Sequence, residues 1–85
     1  MNYEIFIEKP AEKFIMKLPR PEKEHLLREI SKLPAGDTKA LKGSKSKGFY
    51  RLRVGTYRVI YTIDQGRLII HVVDAGNRGD IYKRY

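Results

Sequence analysis

The order of apolar and polar residues along the chain predicts six secondary-structure elements. Residues 3–8, YEIFIE, alternate and predict a first strand. Apolar residues at helical spacing then predict one helix that ends at about Leu18 and a second that runs from about Pro21 to before Pro34. The short Pro-Arg-Pro connection between them makes the pair an α-hairpin. Alternation resumes further on and predicts three more strands, at residues 49–54, 57–64 and 67–74.

The order β-α-α-β-β-β indicates an α+β fold. Short connections between the three late strands favour antiparallel neighbours, so we expect a mostly antiparallel, twisted sheet with the α-hairpin packed on one face. The first strand must cross over the helices to join the edge of this sheet. Residues 34–48 are rich in Gly, Ser and Lys and are predicted to form a loop. Residues 1–85 are expected to form a single domain.

Composition limits the function classes. A chain of 85 residues with 41% hydrophobic residues can build one modest core. Cysteine is absent and the two histidines lie far apart in the sequence, so neither a disulfide framework nor a metal or other cofactor is expected. The N-terminus lacks a signal pattern, and the longest apolar run, LIIHVV, is too short to span a bilayer. These features indicate a small soluble domain without membrane association and agree with a cytoplasmic location.

Charge is distributed unevenly. The formal net charge is +8, yet residues 1–38 hold seven basic and seven acidic residues and are neutral. Residues 39–85 hold eleven basic residues and three aspartates, so the whole excess lies in the second half. This asymmetry is typical of a domain that presents one side to nucleic acid or to an acidic protein partner.

Three arginines lie in the predicted hairpin FYRLRVGTYRVIY, residues 49–61. Alternation places Arg51 and Arg53 on one face of their strand and brings Arg58 near them from the next strand. A solvated sheet face usually mixes charges of both signs, whereas this one is predicted to hold arginines without nearby glutamates. Because the planar guanidinium suits phosphate and stays charged, the pattern favours a phosphate-binding face over an ordinary solvated one.

The C-terminal segment AGNRGDIYKRY allows two interpretations. Gly76, Asn77 and Gly79 all tolerate a tight turn, so the segment can be a plain β-turn. Alternatively, Arg78 and Tyr82 lie on an end that folds back over the arginines. Further basic residues of the second half are candidates to contact nucleic acid, and RNA if the resemblance described next holds: Lys42, Lys45, Lys47, Lys83 and Arg84.

Three segments resemble the RelE/ParE superfamily of bacterial and archaeal toxins, and RelE most closely: LKG at 41–43, YRLRVGTYRVIY at 50–61 and GNRGDIY at 76–82. The resemblance implies a toxin of a toxin–antitoxin pair, a ribosome-dependent endoribonuclease that cuts mRNA in the decoding site and so inhibits translation. In such toxins the 2′-hydroxyl attacks the adjacent phosphate. The family's catalytic positions fall here on Arg51, Arg53, Arg58, Arg78 and Tyr82.

The resemblance also implies partners. These are a RelB-like, acidic antitoxin, the ribosome and mRNA. The toxin is expected to be a monomer when free and to form a hetero-oligomer with its antitoxin. Two alternatives remain open: a ParE-like inhibitor of DNA gyrase and a catalytically weak RNA-binding relative.

The chain departs from the family pattern at the groups that move protons. Arginine cannot lose its proton, so neither Arg51 nor Arg53 can act as a general base. Many relatives carry a histidine or another basic side chain before the late arginine, where this chain has Asn77. Tyr82 is then the remaining candidate for proton transfer, provided that neighbouring arginines lower its pKa.

Overall fold

Two helices and five strands make up the part of the chain that the structure, a computed structural model, describes: residues 3–42, 48–77 and 81. The elements in chain order are β1 (Glu4–Ile7), α1 (Lys9–Met16), α2 (Arg20–Ser31), β2 (Thr38–Ala40), β3 (Tyr50–Val54), β4 (Tyr57–Asp64) and β5 (Ile69–Asn77).

The strands form one sheet in the order β1-β5-β4-β3-β2. β1 pairs with β5 in parallel, and every other neighbouring pair is antiparallel. The parallel pair is possible because the two helices carry the chain from β1 to the far side of the sheet before it returns. The predicted α+β fold, with a mostly antiparallel sheet and the first strand at its edge, is confirmed.

One strand was not predicted. The segment 34–48, expected to be a loop, contains β2, which pairs with β3 through Thr38, Lys39 and Ala40. Three residues are too few to show an alternating pattern, and the strand owes its conformation to the edge of β3 that it covers. The other boundaries differ by small amounts, except that β5 extends three residues past its predicted end.

Both helices pack on the same face of the sheet. Each helix has a proline near its start. Backbone N–H groups in the first turn have no acceptor within the helix, so the N–H that proline lacks costs nothing there, and its fixed φ suits a helix. Ala11 and Ile15 of α1 and Leu26 and Ile30 of α2 are buried. They form one core with residues that alternate along the strands: Leu52, Val54, Val59, Tyr61, Ile70, Val72 and Ala75.

A β-bulge in β5 adjusts the second half of this strand. Ile60 of β4 lies opposite Asp74, while Tyr61 lies opposite Val72, so Val73 is the extra residue. The bulge keeps both Val72 and Ala75 on the helix side. Neither helix of the described chain is long and apolar enough to cross a membrane.

Candidate nucleic-acid interface

The β3–β4 hairpin brings the three predicted arginines together. Because Leu52 and Val59 are buried under the helices, the residues that alternate with them point to the opposite side of the sheet. Arg53 lies directly across from Arg58, and Arg51 lies across from Ile60. A two-residue turn joins the strands, and its first residue, Gly55, has a φ of +59°, which a side chain would disfavour.

Arg58 is held in place by its own turn. Its Nη1 donates hydrogen bonds to the carbonyl oxygens of Gly55 and Tyr57, both at 2.9 Å. Residues directly opposite each other in an antiparallel pair have their Cβ atoms about 5 Å apart, so Arg58 and Arg53 present like charges side by side. Anchoring to backbone carbonyls fixes this charge beside Arg53 despite the repulsion.

A fourth cation joins this group from the unpredicted strand. Lys39 of β2 is the cross-strand partner of Arg51, so the two side chains share a face, and Lys39 is exposed. We call this surface, the sheet face opposite the helices with Lys39, Arg51, Arg53 and Arg58, the arginine face. Sequence reasoning missed Lys39 because it placed this residue in a loop.

An acid also lies on the arginine face. Asp37 accepts a hydrogen bond from Nε of Arg53 through Oδ2 at 2.6 Å, and its Oδ1 is 3.4 Å from Nη1 of Arg51. The same Nη1 donates to the backbone carbonyl of Asp37 at 3.2 Å. The sequence predicted a face of arginines without nearby glutamates, and it did not foresee this acid. The acid is an aspartate, fourteen and sixteen positions before its partners in the sequence.

Gly36 explains how the chain delivers Asp37 to this position. Its φ is +109°, a conformation that L-residues rarely adopt. A Cβ at this glycine would lie 3.2 Å from Cδ1 of Leu52, so the backbone passes close over the middle of β3. The backbone N–H of Arg53 then donates to the carbonyl of Asp37 at 2.9 Å, which places the carboxylate between the two arginines.

Acid is expected to remove the stabilisation that Asp37 provides. The pKa of Asp37 lies below its ordinary value of 3.8, chiefly because Arg53 donates a hydrogen bond to the carboxylate and adds its charge, with Arg51 acting in the same way. Since the folded-state pKa is the lower one, the stabilisation is present above pH 3.8 and is lost as the pH falls through the folded-state pKa.

Urea unfolding of the wild type and of Asp37→Asn at about pH 6 and about pH 2.5 measures this effect. The difference in the free energy of unfolding should shrink at the lower pH. A difference that is equal at both pH values would contradict the assignment.

The chain returns to the sheet after β5. Ile81 is buried, and a Cβ placed on Gly76 would meet the Cβ of Ile81 at 3.4 Å. Gly76 is the cross-strand partner of Arg58, so Ile81 lies on the arginine face, close to that arginine.

Of the remaining predicted site residues, only Lys42 lies in the part of the chain that the structure describes. Lys42 is exposed and follows β2 at the end of the sheet where β3 begins, whereas Arg53 and Arg58 lie where β3 ends. The others lie outside the described residues: Arg78, Tyr82, Lys45, Lys47, Lys83 and Arg84.

Other titratable side chains are poorly placed for chemistry at the arginines. Tyr50, Tyr57 and Tyr61 point to the helix side, and burial raises the pKa of Tyr61. His71 lies on the arginine face, but its partner on β4 is Thr62, four residues and about 13 Å along the strand from Arg58. Its Nδ1 is 3.5 Å from Oε2 of Glu8, and its ring stacks on Phe6. Among the described residues, no three His, Asp or Glu side chains are grouped to hold a metal ion.

This geometry suits binding of phosphate better than it suits transfer of a proton. Near the arginines, four cations outnumber the carboxylates of Asp37 and of Asp74, which lies opposite Ile60, so the described part of the arginine face remains net positive. The guanidinium groups can donate to phosphate oxygens. Both oxygens of Asp37 already face arginines, and its lowered pKa makes it a weak base. The described part of the arginine face can therefore bind and stabilise negative charge.

Comparison with known proteins identifies the family. A family model described as the ParE toxin of the type II toxin–antitoxin system, parDE, matches residues 5–82. No curated protein sequence gives a significant match.

Solved structures of toxins share the fold. The RelE–RelB complex from Pyrococcus horikoshii OT3 matches with a TM-score of 0.74 and 29% identity over 94% of this chain and 99% of that chain. The toxin–antitoxin complex RelBE2 from Mycobacterium tuberculosis matches with a TM-score of 0.78 and 23% identity over 92% and 100% of the two chains. The isolated RelE toxin of E. coli matches with a TM-score of 0.69 and 20% identity over 95% of this chain and 92% of that chain. Because the family model spans nearly the whole sequence, this chain belongs to the ParE toxin family, within the RelE/ParE superfamily of type II toxin–antitoxin toxins.

Proposed function

We propose that this toxin is a ribosome-dependent endoribonuclease that cleaves mRNA in the decoding site and so stops translation in the cytoplasm. The observation that carries the proposal is the grouping of Arg51, Arg53 and Arg58 at one corner of the sheet, on the face opposite the helices. Asp37 compensates only part of this charge. Arg58 still lies directly opposite Arg53, and neighbouring like charges destabilise a fold, so a binding role gives the best reason for this grouping. The likeness to RelE toxins supports the same conclusion.

The proposed reaction needs little more than positioning and charge. The 2′-oxygen of one nucleotide bonds to the adjacent phosphorus while the bond from phosphorus to the 5′-oxygen breaks, which leaves a cyclic phosphate and a free 5′-hydroxyl. Negative charge builds on the phosphate oxygens, where the guanidinium groups of the arginine face stabilise it. In this proposal Arg78 adds charge and Tyr82 transfers protons, while the ribosome holds the mRNA in an attack geometry.

An antitoxin is the second proposed partner. The relatives from P. horikoshii and M. tuberculosis were solved as toxin–antitoxin complexes. Here an apolar groove of about 290 Å³ runs between β1 and α2, lined by Tyr3, Ile5, Ile7, Leu27, Ile30 and Ser31. An acidic chain with apolar anchors would fill this groove and also neutralise the basic second half of the toxin.

The activity is tested by adding the toxin to a translating extract and mapping the 5′-ends of the mRNA. We expect new ends within codons, dependent on ribosomes, that disappear with Arg78→Ala. The matched control is Arg67→Ala, which removes an arginine that pairs with Asp64 in the β4–β5 connection, with 3.8 Å between Nε and Oδ2. This control should leave the cuts unchanged.

Two results would contradict the proposal. Intact mRNA in an extract whose translation continues would exclude the endoribonuclease. Loss of plasmid supercoiling by DNA gyrase, with intact mRNA, would instead favour the ParE-like activity.

A further inference from the structure

Asp37 occupies the part of the arginine face where phosphate is proposed to bind. Its carboxylate lies against Nε of Arg53 and Nη1 of Arg51, at 2.6 Å and 3.4 Å. The Asp37 side chain is 46% exposed and that of Arg53 is 53% exposed, whereas that of Arg51 is 18% exposed, so solvent and ligands reach the group mainly at Arg53 and Asp37. Carboxylate and phosphate present similar pairs of oxygen atoms to a guanidinium, and they therefore bind to the same N–H groups.

The contact leaves the guanidinium groups only partly available. A phosphate that binds Arg53 side-on needs Nε, which Asp37 occupies. A phosphate that binds elsewhere on the same guanidinium lies close to the carboxylate and is repelled by it. In both arrangements the charge of Asp37 opposes an anionic ligand.

We propose that Asp37 competes with RNA phosphate for Arg51 and Arg53 and thereby limits the affinity of the free toxin for RNA. The inference rests on the proposed function, because it assigns the arginine face to the RNA backbone. A toxin that binds free RNA weakly depends on the ribosome to present its substrate, so Asp37 helps to restrict this protein to ribosome-bound mRNA.

Competition is favoured over a role in holding the arginines in position. Nη1 of Arg51 also donates to the backbone carbonyl of Asp37, and this contact does not need the side chain. Exposed ion pairs contribute little to stability and exchange readily, since water and salt screen them. Substitution of asparagine at this position keeps an oxygen that can accept from Arg53 and removes only the charge.

The test measures binding of a labelled RNA of about 12 nucleotides, fully 2′-O-methylated so that the attacking hydroxyl is absent, by fluorescence anisotropy with the full chain. At about 50 mM salt, Asp37→Asn should bind at least about threefold more tightly than the wild type, because one repelling charge near the phosphate is gone. The plot of log affinity against log salt should become steeper by up to about 0.7, the contribution of one more phosphate contact on a single strand.

Two further variants separate competition from a change in net charge or in folding. Asp64→Asn removes the same charge from a similarly exposed side chain in the pair with Arg67, and it should bind RNA as the wild type does. Asp37→Glu keeps the charge and should bind within about twofold of the wild type. Thermal unfolding of each variant checks that the fold is intact.

The outcomes separate this inference from the proposed function. Equal or weaker binding by Asp37→Asn, an equal gain by Asp64→Asn, or no detectable binding by any variant would overturn the role of Asp37. Tighter binding by Asp37→Asn from a toxin that never cuts mRNA would keep the role of Asp37 and remove the endoribonuclease. Ribosome-dependent cuts without any effect of Asp37→Asn on binding would keep the endoribonuclease and remove the role of Asp37.

Discussion

Replacement of Arg58 by alanine is expected to lower the proposed mRNA cleavage about 100- to 1000-fold, the usual loss when one fixed donor to a developing negative charge is removed. Arg58 is anchored independently of Asp37, since its Nη1 donates to two backbone carbonyls at 2.9 Å. Its charge is therefore in position before the substrate arrives. The loss should appear in the rate of the chemical step, measured in single-turnover reactions with programmed ribosomes.

The fold should survive this substitution. Arg58 lies directly opposite Arg53, so its removal relieves a repulsion between like charges. We expect an unchanged or slightly higher melting temperature. Arg58→Lys should restore only part of the rate, because lysine keeps the charge but lacks the planar fork. Full activity of Arg58→Ala would show that this arginine serves the hairpin turn alone.

The β3–β4 hairpin and its three arginines were predictable because the sequence pattern that specifies them is local. Apolar residues alternate with arginines on both sides of the Gly-Thr turn, and period-2 alternation decides which side chains face the core. The register of the hairpin follows from the two-residue turn. Once Leu52 and Val59 are assigned to the core, Arg51, Arg53 and Arg58 have one possible side.

Lys39 and Asp37 could not be predicted in the same way. Both belong to a segment whose composition indicates a loop, and β2 contains only three residues. Their positions depend on pairing with β3 and on the close approach of Gly36 to Leu52, which are contacts between distant parts of the chain. The only local signal was the Gly-Asp pair itself, which is common in turns. The balance of charge on the arginine face is therefore a tertiary property.

This dependence on β3 makes Leu52 the residue that connects the core to the candidate site. Its side chain is 1% exposed and packs in the core cluster, while its neighbours Arg51 and Arg53 point to the opposite face of the sheet. It also lies under Gly36, the residue that delivers Asp37. Burial of Leu52 thus fixes the orientation of β3 and the position of the acid at once.

Leu52→Ala is expected to lower the free energy of unfolding by about 2–5 kcal/mol, through lost burial and the cavity left behind. Domains of this size have a total stability of only about 5–15 kcal/mol, so the melting temperature should fall by roughly 10 °C or more. Thermal unfolding followed by circular dichroism measures the change.

Met16→Ala is the matched control, because it also shortens an apolar side chain, but one that is 56% exposed at the end of α1. It should change the free energy of unfolding by no more than about 0.5 kcal/mol.

Well below its melting temperature, Leu52→Ala should still bind RNA, since the arginines keep their register with β4. Loss of binding in a variant that remains folded would mean that the packing of Leu52 also sets the geometry of the arginine face. A small loss of stability would instead show that β3 is held mainly by its neighbouring strands.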